Sequence, residues 1–550
     1  MKRLIWFAFL FAAALFGFWT GKKPALKKEK TILYSNVYPG RDFPLTEHKS
    51  FAVVIHAYND SLWCERALRS VFEQDHDYCR VIFIDDGSAD GTFEKAQQFV
   101  VDNQQEHRVI LMRNESCQGP AGCLYRAADS CLDREIIVPL QGREWFAHPQ
   151  VLSKLNHLYQ NPDLWIAFGQ TVRYPDYEIG NPPQFERETV ELRGFGGYDL
   201  SAPCSFYAGI FKQIQLQDLF LNGMFARGKH RYASPLLELS GGRVRSVQEP
   251  FVFSCGAPQQ SESTSQTQYK PLAAFPKPRE CNGKAELVLF SHNRPLQLYA
   301  CLESIERFLT GYEKISVLVR AGNPEFAAAY EEVRNSFPKV RFIAQPEKEF
   351  KRSLLKIVFE APSEYVLFGG DDLLMKDFAD LKVCMEMLDK TGAYAFYLRQ
   401  GKNIRHSTQF AKAVETPPSA PLSQGVFAWD LGAGEAEWGL PHGFDLTLYR
   451  KADLRGAFEK LDYKNPGLLE YGWAQGAKPN KALGLYFEQS KVVHLPLNGI
   501  GSTETSQGSF LTPEELLLKF NQGLKIDIEP LYKVENGSPH HEAIPEFINR

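Results

Sequence analysis

Val81-Ile-Phe-Ile-Asp-Asp-Gly-Ser-Ala-Asp-Gly-Thr92 is an apolar run that ends in carboxylates, glycines and a threonine. Four apolar residues closed by turn formers read as a strand buried on both faces. Asp-Gly and Ser make the turn, and Thr92 starts a helical pattern that lasts to Val101. Upstream, Phe51-Ala-Val-Val-Ile55 reads as another buried strand, and Leu62, Ala67, Leu68, Val71 and Phe72 recur at helical spacing. Downstream, Val109-Ile-Leu-Met112 and Glu135-Ile-Ile-Val-Pro139 are further strands with a helix between them. Strands that alternate with helices predict an α/β fold with a doubly wound parallel sheet.

The pattern then pauses and restarts. Residues 256–278 are rich in Gln, Ser, Thr and Pro and read as a linker. After them, Leu287-Val-Leu-Phe290, Ile315-Ser-Val-Leu-Val319, Val340-Arg-Phe-Ile343 and Tyr365-Val-Leu-Phe368 read as strands. Helical patterns over 296–309, 324–336 and 351–360 separate them. Both halves share one order of elements with different residues, which predicts a diverged tandem duplication. A chain of 550 residues suits two or three domains. The expected division is an N-terminal anchor and basic flank (1–30), a tether (31–50), a first domain (51–255), the linker (256–278), and a second domain with a C-terminal acceptor-side extension (279–550).

Composition narrows the function classes. Hydrophobic residues at 44% and charged residues at 23% are those of a folded globular protein. Net charge is −4 and no long basic run lies beyond the N-terminus, which argues against nucleic acid as a partner. The ten cysteines contain no CxxC pair and no dense spacing, so they read as reduced, small apolar residues rather than a zinc or disulfide framework. Met1-Lys2-Arg3 precedes an apolar run over 4–19, followed at once by Gly21-Lys22-Lys23 and by lysines at 27, 28 and 30. The run is slightly short of the roughly 20 residues that span a bilayer. Its continuation past Ala12-Ala13-Ala14 reads as an uncleaved, single-pass membrane anchor rather than a signal peptide. The excess of lysine after the run keeps the body of the protein on the cytoplasmic face.

In an open parallel sheet, ligands bind where loops leave the carboxyl ends of strands. Three loops of the first half stand there: His56-Ala57-Tyr58-Asn59-Asp60, Asp85 to Thr92, and Leu140-Gln141-Gly142-Arg143-Glu144-Trp145. The second by itself is equally a turn and helix cap, and its likeness to a calcium loop fails at Gln97, where a bidentate Glu belongs. Taken together, Val53-Val-Ile-His-Ala-Tyr-Asn-Asp60, Leu68-Arg-Ser-Val-Phe-Glu-Gln74 and Val81 to Thr92 resemble the nucleotide-binding half of glycosyltransferase family 2, over roughly residues 51–255. The resemblance implies a GT-A fold that binds a nucleotide-diphospho-sugar. It also implies that Ala57, Tyr58, Asp60 and Asp85 or Asp86 cradle base and ribose. A carboxylate accepting from a base N–H and an aromatic ring stacking on it fit that role.

The third loop departs from the family. Gln141, Arg143 and Glu144 stand where an Asp-x-Asp-Asp element is usual. A hard cation bridging phosphates wants carboxylate oxygens, so the first half reads as a decayed metal site. The Asp that usually serves as base upstream of Tyr232-Ala-Ser-Pro-Leu-Leu-Glu-Leu-Ser-Gly241 is absent, with Lys229, His230 and Arg231 in that region and Glu238 left in the helix. The second half keeps the aspartates. Tyr365-Val-Leu-Phe-Gly-Gly-Asp-Asp-Leu-Leu374 resembles the GT-A aspartate motif, and Ser291-His292-Asn293-Arg294-Pro295 corresponds to the first nucleotide loop. This reading puts Mg²⁺ or Mn²⁺ on Asp371, Asp372 and His494, the nucleotide on Ser291, Asn293 and Arg294 as well, and the catalytic base at Glu470, with Asp445 and Glu437 as alternatives. Trp438-Gly-Leu-Pro-His442, Asn465-Pro-Gly-Leu-Leu-Glu470 and Lys491-Val-Val-His-Leu-Pro-Leu-Asn498 read as acceptor-site and metal-closing segments. Cyclic-dinucleotide synthases and polymerase palms carry similar Gly-Gly-Asp or Gly-Asp-Asp signatures, but their companion motifs are missing. The expected activity is an inverting, metal-dependent transfer of sugar from a nucleotide-diphospho-sugar donor to a glycan, lipid or protein acceptor, centred in the second half. The alternative is an inactive nucleotide-sugar or glycan-binding protein.

Overall fold

The computed structural model describes residues 44–180, 204–221, 224–226, 230–255, 269–277, 283–345, 349–407, 410–476, 479, 481–497, 511–539 and 545–550, with the pairs 31–32 and 190–191. The expected anchor, most of the tether, residues 256–268 of the linker, Lys229 and Asn498 lie outside these. Among the described residues no helix is long and apolar enough to cross a membrane.

Two nine-stranded sheets organise the core. Across the first, the order is Val109–Arg113, Cys79–Asp85, Phe51–Ala57, Ile136–Gln141, Cys204–Tyr207, Ile166–Tyr174 and Val244–Cys255. The first four strands run parallel. Cys204–Tyr207 is antiparallel to both neighbours, and Val244–Cys255 is parallel to Ile166–Tyr174. The short strand Glu144–Phe146 pairs antiparallel with Val252, Phe253 and Ser254.

The second sheet repeats that plan. Its order begins Arg341–Ala344, Lys314–Arg320, Ala285–His292, Tyr365–Gly370, Thr447–Arg450, Ala395–Tyr397 and Leu483–Phe487. Again the first four are parallel, the fifth is antiparallel to both neighbours, and the seventh is parallel to the sixth. Leu373–Met375 pairs antiparallel with Val492–His494, as Glu144–Phe146 does with the end of its own last strand. Ranked along the chain, the strands of both halves lie in the same order and direction. The second sheet adds only the hairpin Ser419–Pro421 and Val426–Asp430 at its edge.

The apolar runs explain the elements. Phe51–Ile55 and Leu287–Leu289 are almost wholly buried because helices cover both faces of a parallel sheet. Asn323 caps the helix Pro324–Ser336 by accepting from the Phe326 N–H, with Pro324 in the first turn where its missing N–H costs nothing. The end of the expected linker is not a free tether. The Tyr269 N–H donates to Glu238 at 2.8 Å, its hydroxyl donates to Asp218 at 2.5 Å, and Phe275 packs edge-on against Trp165.

Candidate functional site

The first half presents the loops expected to bind a nucleotide at the strand ends, but their carboxylates are already engaged. Asp86 accepts from the Gln118 and Gly119 backbone N–H groups at 2.8 and 2.7 Å, from Asn114 at 2.7 Å and from Cys117, and it meets His56 Nε2 at 3.1 Å. Burial works against its charge, yet hydrogen bonds from His56, Gln118 and Asn114 hold the carboxyl well below its ordinary value. Asp86 therefore anchors the start of the helix Gly119–Asp129. His56, Asp86 and Cys123 have ligand-capable atoms within 4.8 Å of one another. The donors already on both Asp86 oxygens, and a Cys123 thiol pushed well above its ordinary value by burial, oppose a metal there. Asp85 Oδ2 accepts from the Ser88 N–H, while its Oδ1 is buried without a hydrogen-bond partner. Ala57 is buried and Tyr58 is 43% exposed, which leaves its ring open to a stacking ligand.

Arg143 closes on Asp60. Its Nη2 and Nε donate to Asp60 Oδ1 at 2.6 and 3.0 Å. Gly142 permits this approach, since a Cβ there would meet Asp60 Oδ2 at 2.6 Å and the Ala57 Cβ at 2.9 Å. The residue that replaces a family aspartate is thus the counter-ion of a residue expected to hold the nucleotide. Glu238 accepts from the Tyr269 backbone, a structural role.

The second half gathers the predicted residues at the same end of its sheet. Asn293 has a positive φ of 57° and accepts from the Gly322 N–H at 2.7 Å. Asn59 does the same in the first half, with φ 53° and the Ala89 N–H at 3.0 Å. Counting back three residues from each asparagine pairs His56 with Phe290, whose parallel partners are Gln141 and Gly370. The hairpin strands starting at Glu144 and Leu373 fall into the same register. Asp60 then corresponds to Arg294, and Arg143 to Asp372. The ion pair is present in both halves with its polarity reversed.

Arg294 Nη1 donates to Asp372 Oδ2 at 2.6 Å and to Asp371 Oδ1 at 3.1 Å. His494 Nε2 lies 3.1 Å from Asp372 Oδ2, brought there because His494 faces Leu373 across the hairpin. Tyr330, on the helix Pro324–Ser336, hydrogen-bonds the Ser291 hydroxyl at 2.7 Å and accepts from the Arg294 N–H at 3.0 Å. The sequence reading missed this tyrosine, which no local motif marks. Burial first, and the neighbouring Asp372 charge, push the Asp371 carboxyl up to about 6 against the pull of Arg294. Asp372 is held below its ordinary value despite burial, by His494 and then Arg294. A Cβ at Gly369 would meet Leu446 Cδ2 at 2.8 Å and Leu289 Cδ2 at 3.0 Å, so these buried side chains would have to shift to admit one.

Two carboxylates and an imidazole are acceptable donors for Mg²⁺ or Mn²⁺. In this arrangement the ion does not fit. An ion shared by Asp371 and Asp372 would compete with Arg294 Nη1 for Asp371 Oδ1 and Asp372 Oδ2, although Asp371 Oδ2 is buried without a hydrogen-bond partner, and it would add its charge beside a guanidinium.

The candidate bases converge as well. Phe290, Phe368, Phe444 and Trp473 pack in a chain with ring centroids 6.2, 5.1 and 6.0 Å apart. This packing ties the acidic loop to the turn before Thr447 and to the helix Pro466–Gly476. Glu470 accepts from the Phe444 N–H at 3.2 Å. A Cβ on Gly443 would meet Glu470 Oε1 at 3.3 Å and Asp445 Oδ2 at 3.5 Å, so both carboxylates flank one small space. Burial first, and then the Asp445 charge, push Glu470 up to about 7. Asp445 is paired with Arg399 at 2.8 Å, a partner the sequence reading did not name. Glu437 is buried and accepts from the Ser407 hydroxyl at 2.6 Å. Trp438 and His442, expected at an acceptor surface, are buried: Trp438 is fully enclosed, and His442 stacks on Trp473 at 4.5 Å.

Residues 52–215 match the family described as Glycosyl transferase family 2. Residues 52–215 are glycosyltransferase family 2-like. A curated relative, the bifunctional glycosyltransferase pgtA of Dictyostelium discoideum, is 26% identical over 186 residues. These make up 30% of this chain and 24% of that protein, so the chain spans only about a quarter of its relative's length. Among solved structures, S. aureus TarS 1–349 in complex with UDP has a TM-score of 0.31 at 16% identity, covering 38% of this chain and 61% of that one. The mannosyltransferase PcManGT from Pyrobaculum calidifontis, in complex with GDP-Man and Mn²⁺, has 0.27 at 18%, covering 45% and 65%. The glycosyltransferase match thus covers the half whose aspartate loop carries Arg143, and stops short of Asp371 and Asp372.

Proposed function

We propose that the protein is an inverting glycosyltransferase, that its halves are diverged GT-A domains, and that the second half carries out transfer. The observation that carries this reading is the pair Glu470 and Asp445, with Glu470 raised to about 7, at the same sheet end as Asp371 and Asp372. A carboxylate near neutral pKa is matched to general base work. In the proposed step, Glu470 takes the proton of an acceptor hydroxyl. That oxygen attacks the anomeric carbon of the donor sugar, and the bond from that carbon to the diphosphate oxygen breaks. The nucleoside diphosphate leaves with the bonding electrons, so positive charge at the acidic loop has to meet it. Asp371, Asp372 and His494 are the donors that a divalent cation would find if Arg294 withdrew from them. The first half would support the second or bind nucleotide or acceptor on Tyr58. The apolar run over 4–19 would anchor the body on the cytoplasmic face, which protease protection of membrane vesicles tests.

The test of the central assignment is Asp371→Ala in the full chain, with a screen of UDP- and GDP-sugars and mass detection of product. Loss of transfer with an unchanged circular dichroism spectrum supports the reading, and full activity removes it. A second reading, binding without catalysis, is favoured by the counter-ions that cover Asp60 and both aspartates of the second half. Transfer from any donor in that screen eliminates it.

A further inference from the structure

We infer that the cation meeting the donor diphosphate in the second half is Arg294 itself, in place of a divalent metal. This rests on the reading that a nucleotide diphosphate binds there. Three observations carry it.

Arg294 Nη1 reaches both aspartates, and its side chain is 13% exposed, with Asp371 and Asp372 at 5% and 19%. A surface arginine swings away at little cost, whereas this one is held among enclosed carboxylates that would lose their counter-charge. The backbone around it is built as well. The Arg294 N–H is fixed on the Tyr330 hydroxyl, and the side chain stands at the entry to the helix Pro295–Phe308.

Substitution across the two halves points the same way. A metal site needs its carboxylates uncovered. In the first half the corresponding place holds Arg143, paired with Asp60 at 2.6 Å, and in the second Arg294, paired with Asp372 at 2.6 Å. Both arrangements put a guanidinium where the two loops meet. The charge has changed sides between the loops, and in each half a guanidinium stands beside the carboxylate it pairs with.

The chemistry of the group suits the task. A guanidinium is always charged and meets phosphate oxygens with a planar fork of N–H donors. Asp371 and Asp372 then position Arg294 instead of holding a metal, and His494 orients Asp372.

The experiment is Mn²⁺ binding by electron paramagnetic resonance on the full chain, compared with a double variant, Asp371→Asn with Asp372→Asn, and with Arg294→Met. The wild type is expected to bind no Mn²⁺ that the double variant loses, and Arg294→Met to gain one such site. Mn²⁺ held by the wild type and lost in the double variant overturns the inference, and so does an Arg294→Met protein that folds and gains nothing. If Arg294→Met does not fold, the first comparison still decides. UDP calorimetry in EDTA separates this from the underlying reading. UDP should bind the wild type with less than about a threefold change on adding Mn²⁺, and about tenfold weaker to Arg294→Met, as loss of a charge-assisted hydrogen bond implies. Absence of UDP binding under every condition removes the nucleotide reading, while the Mn²⁺ comparison still reports who holds the cation.

Discussion

Asp60 and Arg294 hold the same place in the two halves of this protein and carry opposite charges. Each follows an asparagine of positive φ that ties down the next loop. Each is matched across the sheet end by a residue of the other sign, Arg143 for Asp60 and Asp372 for Arg294. A charge enclosed at that depth needs a counter-charge, so a change in one loop is viable only with a change in the other.

Arg143→Ala should therefore cost stability and spare transfer. Asp60 is only 4% exposed and loses its cation, while Arg143 is itself 43% exposed, so solvent repays part of the loss. We expect a destabilisation of about 1–2 kcal/mol in urea unfolding. Transfer should change by less than about threefold, a minor barrier difference. A collapse of activity would place catalysis in the first half.

Glu470→Gln should reduce kcat about 10²-fold or more, the usual worth of a general base. In the wild type, kcat should rise with pH through about 7 as Glu470 loses its proton, and the variant should lack that limb. Stability carries the opposite sign. The folded value lies above the ordinary 4.5, so the folded state binds the proton more tightly. The contribution of Glu470 is present in full below 4.5 and is lost as pH rises through about 7. Unfolding midpoints of wild type and variant across this window check both statements.

Gly369→Ala should disturb the acidic loop through packing. Its new methyl would press on Leu446 and Leu289, which are fully buried and cannot give way cheaply. We expect about 1–3 kcal/mol of destabilisation, with transfer reduced because Asp371 and Asp372 follow directly. Thermal unfolding and initial rates measure the two effects separately.

Trp438→Ala should behave as a core mutation. The indole is fully buried, packs edge-on against Trp429 and Tyr486, and its carbonyl accepts from Trp429 Nε1 at 3.2 Å. A loss of about 3–5 kcal/mol is expected, visible as a lower unfolding midpoint. A rise in acceptor KM with normal stability would instead make it a binding residue.

The sequence by itself determined the elements. Val81–Ile84 and Leu287–Phe290 were legible as buried strands, and the alternation with helices as a parallel sheet, because these signals lie between residues two to four positions apart. It also located Asp371, Asp372, Arg294, His494, Asp445 and Glu470 as residues worth joining. Only the tertiary structure decided what they do to one another. Arg143 and Asp60 are 83 positions apart, and Arg294 and Asp372 are 78 apart. Their pairing is set by strand register and by one hairpin, which no local periodicity encodes. Trp438, which looks like a surface aromatic in sequence, is likewise enclosed by Trp429 on the preceding strand and by Tyr486 from a strand 48 positions on. Local spacing fixes secondary structure, whereas the partner of a charge depends on which strand ends the sheet brings together.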